Sequence, residues 1–196
     1  MLESLKRYQV SKEILNQIQE YISLLMRWNQ KIQMTATKEP REFVSRHVAD
    51  SLELSSLLPS EVGTMLDVGS GGGLPGVILA IANPQIQFML IEPTQKKHAF
   101  LSTARRELGL LNMRTLAVRD EELLMRDDFV PFDAVVARAV WSTEQWLERA
   151  PRLVKSGGLV YAMEGRNCAE VGQEHTRHEY ELAAGRVRSV IAMRVG

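Results

Sequence analysis

The sequence predicts an α/β fold in which a mostly parallel sheet, closed by an antiparallel hairpin, sits behind a helical N-terminal layer. Three observations carry that expectation. After residue 63, short apolar runs alternate with helical patterns in βαβ order, the signature of a parallel sheet. The run Met65-Leu66-Asp67-Val68-Gly69-Ser70-Gly71-Gly72-Gly73-Leu74-Pro75-Gly76 leads an apolar strand straight into a loop holding five glycines within eight residues. Ahead of that loop the apolar residues recur only at helical spacing. The expected organisation is a helical layer over residues 1–62 that belongs to the same compact unit as a ligand-binding domain over 63–196.

From Ser11, an N-cap type, Ile14, Leu15, Ile18, Ile22, Leu25 and Met26 mark an amphipathic helix. A second helix starts near Pro40 and carries Phe43, Val44, Val48, Leu52 and Leu54 toward Leu58-Pro59. The first strand spans Thr64 to Val68, and a helix with Pro75 in its first turn runs to Asn83-Pro84. A strand from Gln87 to Ile91 precedes a helix from Lys96 to Leu108 capped by Gly109, then a strand from Met113 to Val118. A short helix near Glu121 to Met125 comes before the strand Phe132 to Ala137. A helix from Thr143 to Val154 then turns through Ser156-Gly157-Gly158 into the strand Leu159 to Met163. Tyr180 to Leu182 and Val187 to Arg194 form the closing hairpin through Ala183-Ala184-Gly185-Arg186.

Glycines in such a loop adopt positive φ and present N–H groups with no Cβ in the way, so a nucleotide-like ligand can lie against the backbone. Gly71 to Gly76 satisfies G-x-G-x-x-G, with the acidic Glu92 standing 21 positions after Gly71, which leaves a nicotinamide dinucleotide open as a ligand. Asp67 argues for a different one. A carboxylate at this strand end receives an ammonium and repels a pyrophosphate, and S-adenosyl-L-methionine carries an ammonium, a ribose diol and an adenine. Ligands of open parallel sheets bind at the carboxyl ends of the strands. That rule selects Asp67, the glycines, Glu92, Asp120 with Glu121, and Arg138.

A length of 196 residues suits one domain with a substantial core. Lys and Arg total 24, as do Asp and Glu, so no global field draws in nucleic acid, and contact with RNA would need a local patch. Candidates are Arg41 with Arg46 and His47, Lys96 with Lys97, and Arg105 with Arg106. The single Cys168 excludes an internal disulfide and a multi-cysteine metal site, and no metal is expected. Residues 1 to 30 lack a secretion signal and no apolar stretch is long enough to span a bilayer, so a soluble cytoplasmic protein is expected.

These residues together resemble the small-subunit ribosomal RNA guanine-N7 methyltransferases, the family also called glucose-inhibited division protein B. The resemblance is carried by Trp28-Asn29 with Thr35-Ala36, Arg46-His47 with Asp50-Ser51-Leu52, and the loop from Leu66 to Gly76. It continues through Lys96-Lys97 with Phe100-Leu101, Glu107-Leu108-Gly109-Leu110 with Asn112, Arg119 with Glu121, Phe132-Asp133, and Arg138-Ala139. It implies a Rossmann-like class I methyltransferase sheet and S-adenosyl-L-methionine as cofactor. The substrate would be small-subunit (16S) ribosomal RNA or the 30S particle, with no membrane partner and a monomeric enzyme. By the same resemblance Gly69, Leu74, Asp120, Glu121 and Arg138 line the cofactor pocket and Glu92 holds the ribose, alongside Asp67, Gly71 and Gly73 of the loop.

Three positions depart from the family pattern: Glu92-Pro93 stands where Asp-Ser is usual, Gln33-Met34-Thr35 where Asn-Leu-Thr is common, and Glu164-Gly165 where Lys often precedes the glycine. The last reverses a charge expected near the pocket mouth. It keeps open a methyltransferase acting on another RNA or a small molecule, besides the nicotinamide-dependent oxidoreductase.

Guanine N7 offers a lone pair without losing a proton, so its methylation needs no general base. Arg138 would orient substrate or cofactor, or else form an ion pair with a carboxylate such as Glu121. Arg46, His47, Lys96 and Lys97 would meet substrate phosphates, and Trp141 would offer a stacking face to an extruded base, with Trp146 a weaker candidate.

Overall fold

The computed structural model describes residues 2–164, 172, 175–182 and 185–196. A 3₁₀ segment, Glu3–Tyr8, opens the chain; its short mixed sequence carries no helical period and gave no signal. Helix α1 (Lys12–Asn29) begins where Ser11 Oγ accepts from Ile14 N at 3.3 Å, the expected N-cap. The second expected helix exists but changes pitch. Helix α2 (Pro40–Phe43) passes into a π-helical turn (Val44–Val48) and then α3 (Ala49–Ser56), so one extra residue is wound in where Arg46 and His47 stand.

The sheet contains β1 (Thr64–Val68), β2 (Gln87–Ile91), β3 (Met113–Leu116), β4 (Phe132–Arg138), β5 (Val154–Glu164), β6 (His175–Leu182) and β7 (Arg186–Arg194) in the order β3-β2-β1-β4-β5-β7-β6. The first five are parallel; β7 is antiparallel to both β5 and β6. Helices α4 (Gly76–Ala82), α5 (Gln95–Glu107), α6 (Asp120–Leu124) and α7 (Thr143–Arg149) make the crossovers. Several boundaries differ from expectation, among them β3, which ends at Leu116 rather than Val118, and β6, which begins at His175 rather than Tyr180; three further differences have a local cause. Pro75 is the N-cap of α4, immediately ahead of the first turn in which it was expected. Pro151 falls in a 3₁₀ turn (Ala150–Leu153), so α7 ends five residues early. Ser156-Gly157-Gly158 is an irregularity inside β5, not a turn before it: the register jumps from Phe132↔Val154 to Ala134↔Leu159, and Gly157 has φ +76. The hairpin register closes Leu182 on Arg186, and Ala183-Ala184 lies outside the described residues, as does Cys168.

Period-2 alternation splits the core between the two faces. Met65, Phe88, Leu90 and Val136 face α1, α3, α4 and α5; Leu66, Val68, Ile91, Val135 and Ala137 face α6 and α7, where Trp146 is buried. Trp146 Nε1 donates to Tyr161 O at 2.8 Å, which fixes it as core. Asn112 Nδ2 lies 3.0 Å from Ala80 O, 3.2 Å from Asn83 O and 3.1 Å from Ile86 O, tying the end of α4 to the start of β2. No helix among the described residues is long and apolar enough to cross a membrane.

Candidate active site

Asp67 shares the sheet face of Met65, so its side chain points toward α4, where Oδ2 accepts from Gly76 N at 3.0 Å. It is 1% exposed and its Oδ1 is buried without a partner. Burial pushes its carboxyl up to about 6, against the hydrogen bond from Gly76 N and the nearby Ser70 hydroxyl, which itself donates to the Asp67 backbone carbonyl at 3.1 Å. Glu92, at the end of the neighbouring strand, accepts from Gly71 N and Thr94 N, both at 2.9 Å. From the other side the buried Tyr21 of α1 donates to Gly72 O at 2.5 Å. The loop is thus pinned at three successive points by two strand-end carboxylates and a tyrosine that the sequence did not single out.

Two cavities meet at Gly69. The smaller, about 280 Å³, is walled by Val68, Pro93, Asp120, Glu121, Val140 and Trp141. The larger, about 430 Å³, is lined by Thr35, His47, Asp50, Lys97, Arg138 and Glu164, together with Gly71, Leu74 and, from β7, Arg188. Gly69 must be glycine: its φ is +69, and a Cβ would stand 2.6 Å from Val140 Cγ2. Ala139, at φ +57, makes the turn after β4 that brings Val140 there. Gly73 is equally constrained, with φ +88 and 2.4 Å from a Cβ to Val77 Cγ2.

The strand-end rule therefore brings together the residues it selected, but in different roles. Asp67 and Glu92 line neither cavity; their oxygens hold the loop. Asp120 and Glu121 do wall the smaller one, and both are gripped by Arg149 of α7, at 2.8 Å for Asp120. Burial pushes Asp120 upward, whereas the backbone N–H at the start of α6, Asp120 and Arg149 hold Glu121 down at about 2. Trp141 belongs to this wall too, stacked on Trp146 at 5.5 Å and 6°, with the Arg149 guanidinium 4.9 Å from its ring centre. It lines the smaller cavity and is not among the residues lining the larger one.

Arg138 does not pair with Glu121. Its Nη1 donates to Asp50 Oδ2 of α3 at 3.3 Å and to His47 Nδ1 at 3.3 Å. Burial, with Arg138, Arg46, Arg188 and Arg186 around it, pushes His47 down to about 3, so the ring is neutral and is not a cationic phosphate contact. Arg46 pairs with Glu42 at 2.7 Å. Lys97 lines the larger cavity while Lys96 is exposed beside it, and Arg105 is committed to Met113 O at 2.6 Å. Glu164 does line the larger cavity, as a matched rather than an open negative charge. It is 6% exposed and accepts from Arg177 at 2.5 Å, Thr143 at 2.7 Å and Ser189 at 2.8 Å, so its charge is matched inside the fold. Arg177, Arg188 and Tyr180 come from the hairpin, whose polar alternation reads as solvated edge and gave no hint of a site. Among the described residues no group of three His, Cys, Asp or Glu side chains could hold a metal ion.

A family model described as GidB, rRNA small subunit methyltransferase G, matches residues 14–194. Ribosomal RNA small subunit methyltransferase G of Methylobacillus flagellatus is 36% identical over 154 residues, covering 79% of this chain and 73% of its own. The protein of the same name from Burkholderia lata is 40% identical over 153 residues, covering 76% and 67%. Among solved structures, the O-methyltransferase TomG of Streptomyces achromogenes in complex with SAM superposes with a TM-score of 0.59 at 14% identity, covering 90% of both chains. An rRNA methylase from Streptococcus thermophilus gives 0.52 at 15% identity, covering 76% of this chain and 95% of that one.

Proposed function

Because this chain belongs to the rRNA small subunit methyltransferase G family, we propose that it methylates N7 of a guanosine in 16S ribosomal RNA, with S-adenosyl-L-methionine as cofactor. The residues present fit that cofactor. Asp67 Oδ1 is a buried acceptor with no donor, which an ammonium answers, and a Cβ at Gly71 would have only one neighbour within 4 Å, so the loop backbone is open to close approach. Asp67, Gly69, Gly71, Gly73, Leu74 and Glu92 would hold it on the loop side, and Asp120 and Glu121 on the wall of the smaller cavity. When bound, it supplies a methyl group on a sulfonium, open to in-line displacement.

The observation that carries the N7 reading is that, among the described residues lining the larger cavity, no side-chain base is uncommitted. Both Asp50 oxygens are taken, by Tyr180 and Arg138; both Glu164 oxygens are taken; and neutral His47 has a partner at each nitrogen. A nucleophile that must lose a proton finds only carboxylates already held in ion pairs and hydrogen bonds among these residues, while N7 needs no base. What these residues do is orient. Arg138 would direct the base toward the reacting methyl, and its guanidinium and Lys97 add positive charge to the wall for the backbone phosphates. Lys96, exposed next to Lys97, and Arg46, already paired with Glu42, would be further phosphate contacts on this reading. Trp141, stacked into the smaller cavity, serves the cofactor side on this reading.

The test is transfer of a tritiated methyl group from S-adenosyl-L-methionine to small ribosomal subunits from a strain lacking this protein, followed by mapping of N7-methylguanine. Label at one guanosine, lost in Arg138→Ala, is the expected result. Label at an exocyclic amine, or none on a variant-sensitive site, overturns the N7 assignment and returns the choice to another RNA or a small molecule.

A further inference from the structure

Five polar side chains from five parts of the fold form one hydrogen-bonded chain whose three middle members line the larger cavity: Thr37, His47, Arg138, Asp50 and Tyr180. The direction of each bond follows from the groups themselves. A guanidinium can only donate, so His47 Nδ1 accepts from Arg138, the ring proton sits on Nε2, and Nε2 donates to Thr37 Oγ1 at 3.1 Å. At the other end Asp50 Oδ2 accepts from Arg138 while Oδ1 accepts from Tyr180 Oη at 2.5 Å. The two bonds to Arg138 are the long ones, each 3.3 Å; the two outer bonds are shorter. A loosely held guanidinium therefore lies between two acceptors that are themselves held firmly. Phe43, with its ring centre 5.1 Å from that of His47, limits the ring's tilt. Thr37 is 5% exposed, and neither it nor Tyr180 is among the described residues lining the two cavities at Gly69.

We propose that Thr37 and Tyr180 are positioning residues that set the direction of the Arg138 guanidinium from opposite ends of this chain. The proposal rests on the reading of Arg138 as the group that orients the guanine. Without the Thr37 acceptor, the Nε2–H of His47 is buried unpaired, and the ring turns to find a partner, withdrawing the Nδ1 lone pair from Arg138. Without the Tyr180 hydroxyl, Asp50 Oδ1 is released and the carboxylate can take Arg138 bidentately, drawing it off the cavity. Neither change touches the glycine loop or the wall bearing Asp120 and Glu121.

Thr37→Val, Thr37→Ser, Tyr180→Phe and Arg138→Ala would be assayed for tritiated methyl transfer to unmethylated small subunits, with histidine ¹⁵N spectra and melting curves on the same samples. Thr37→Val and Tyr180→Phe should lower kcat roughly tenfold to a hundredfold, as misplaced orienting groups do, while KM for S-adenosyl-L-methionine stays within about twofold. Thr37→Ser should restore the rate, and the histidine ¹⁵N shifts of the wild type should show His47 as the neutral ring protonated at Nε2. Normal kcat in Thr37→Val and Tyr180→Phe, beside an inactive Arg138→Ala, overturns the positioning role and leaves the Arg138 reading standing. Full activity in Arg138→Ala removes that reading and the proposal with it. An Nδ1-protonated His47 in the wild type also overturns the proposal. Should Tyr180→Phe fail to fold, the Thr37→Val and Thr37→Ser pair decides alone.

Discussion

Asp67 is buried between the first strand and the N-terminus of α4, with one oxygen on Gly76 N and the other unmatched. Burial is the largest influence on it and raises its pKa to about 6, from near 4 in an unfolded chain. Between those values the folded state holds a proton that the unfolded state has lost, so stability falls as pH rises through the interval. At about 1.4 kcal/mol per tenfold, the ionised carboxylate costs the cofactor-free protein on the order of 3 kcal/mol above pH 6. Urea midpoints from pH 4 to 7 should show that loss, and Asp67→Asn should flatten it; an unchanged slope in the variant places the titration elsewhere. An ammonium beside Asp67 would reverse the preference by favouring the carboxylate. Binding of S-adenosyl-L-methionine near pH 5.5 should then release a proton, seen as a dependence of the calorimetric heat on buffer ionisation enthalpy. No proton release denies Asp67 the ammonium contact.

At the scale of elements, β1 and β2 were legible because each is a largely apolar run closed by a glycine or a charge, and both match their expected ends, whereas β3, with Arg114 and Thr115 in its four residues, stops at Leu116 short of the expected Val118. The π-helical turn at Val44–Val48 was not legible, since its apolar residues fit helical spacing and nothing local marks the extra residue that lets His47 meet both Thr37 and Arg138. Strand-end carboxylates were found from position alone, but whether their oxygens face a ligand or Gly71 and Gly76 depends on the fold around them. The hairpin's contribution was invisible for a related reason. Tyr180 is 130 positions from Asp50, and polar alternation in β6 gives no sign of which outward residues become buried. Glu164 makes this concrete: beside Arg177, Thr143 and Ser189 it fastens β5 to β6, β7 and α7. Glu164→Lys places two cations in a buried site and should cost about 3–5 kcal/mol, visible in the melting temperature and in faster amide exchange along β6 and β7. Arg177→Glu added to it restores opposite charges, and the two hydroxyls can accept from lysine as they donate to glutamate, so the double variant should recover most of the loss. Equal melting of Glu164→Lys and wild type contradicts this account.

Across the whole molecule the question is whether residues 1–62 are an appendage or part of one unit. Their contacts favour one unit. Tyr21 packs at 6.3 Å from both Phe43 in the layer and Phe100 of α5, Trp28 meets Phe100 edge-on at 5.6 Å, and Gln17 donates to Leu108 O at 3.2 Å. Removing the layer would bare Val77, Ile78, Phe100 and Leu101, all fully buried, at about 1.5–3 kcal/mol each, against a total stability of only about 5–15 kcal/mol for a domain. It would also release Gly72 O from Tyr21, loosening the glycine loop itself. We therefore propose a single cooperative unit, and residues 63–196 alone should neither melt cooperatively nor bind the cofactor. The tryptophans allow the intact chain to be tested. Trp28 lies in the layer and Trp146 under the opposite face of the sheet, so variants keeping only one or the other, with Trp141 replaced by Phe in both, report the two regions separately. One cooperative unit requires coincident fluorescence transitions and equal calorimetric and van't Hoff enthalpies. If Trp28 reports an earlier transition while Trp146 and cofactor binding persist, the layer is a separate unit, and the pinning of Gly72 by Tyr21 is dispensable for the site.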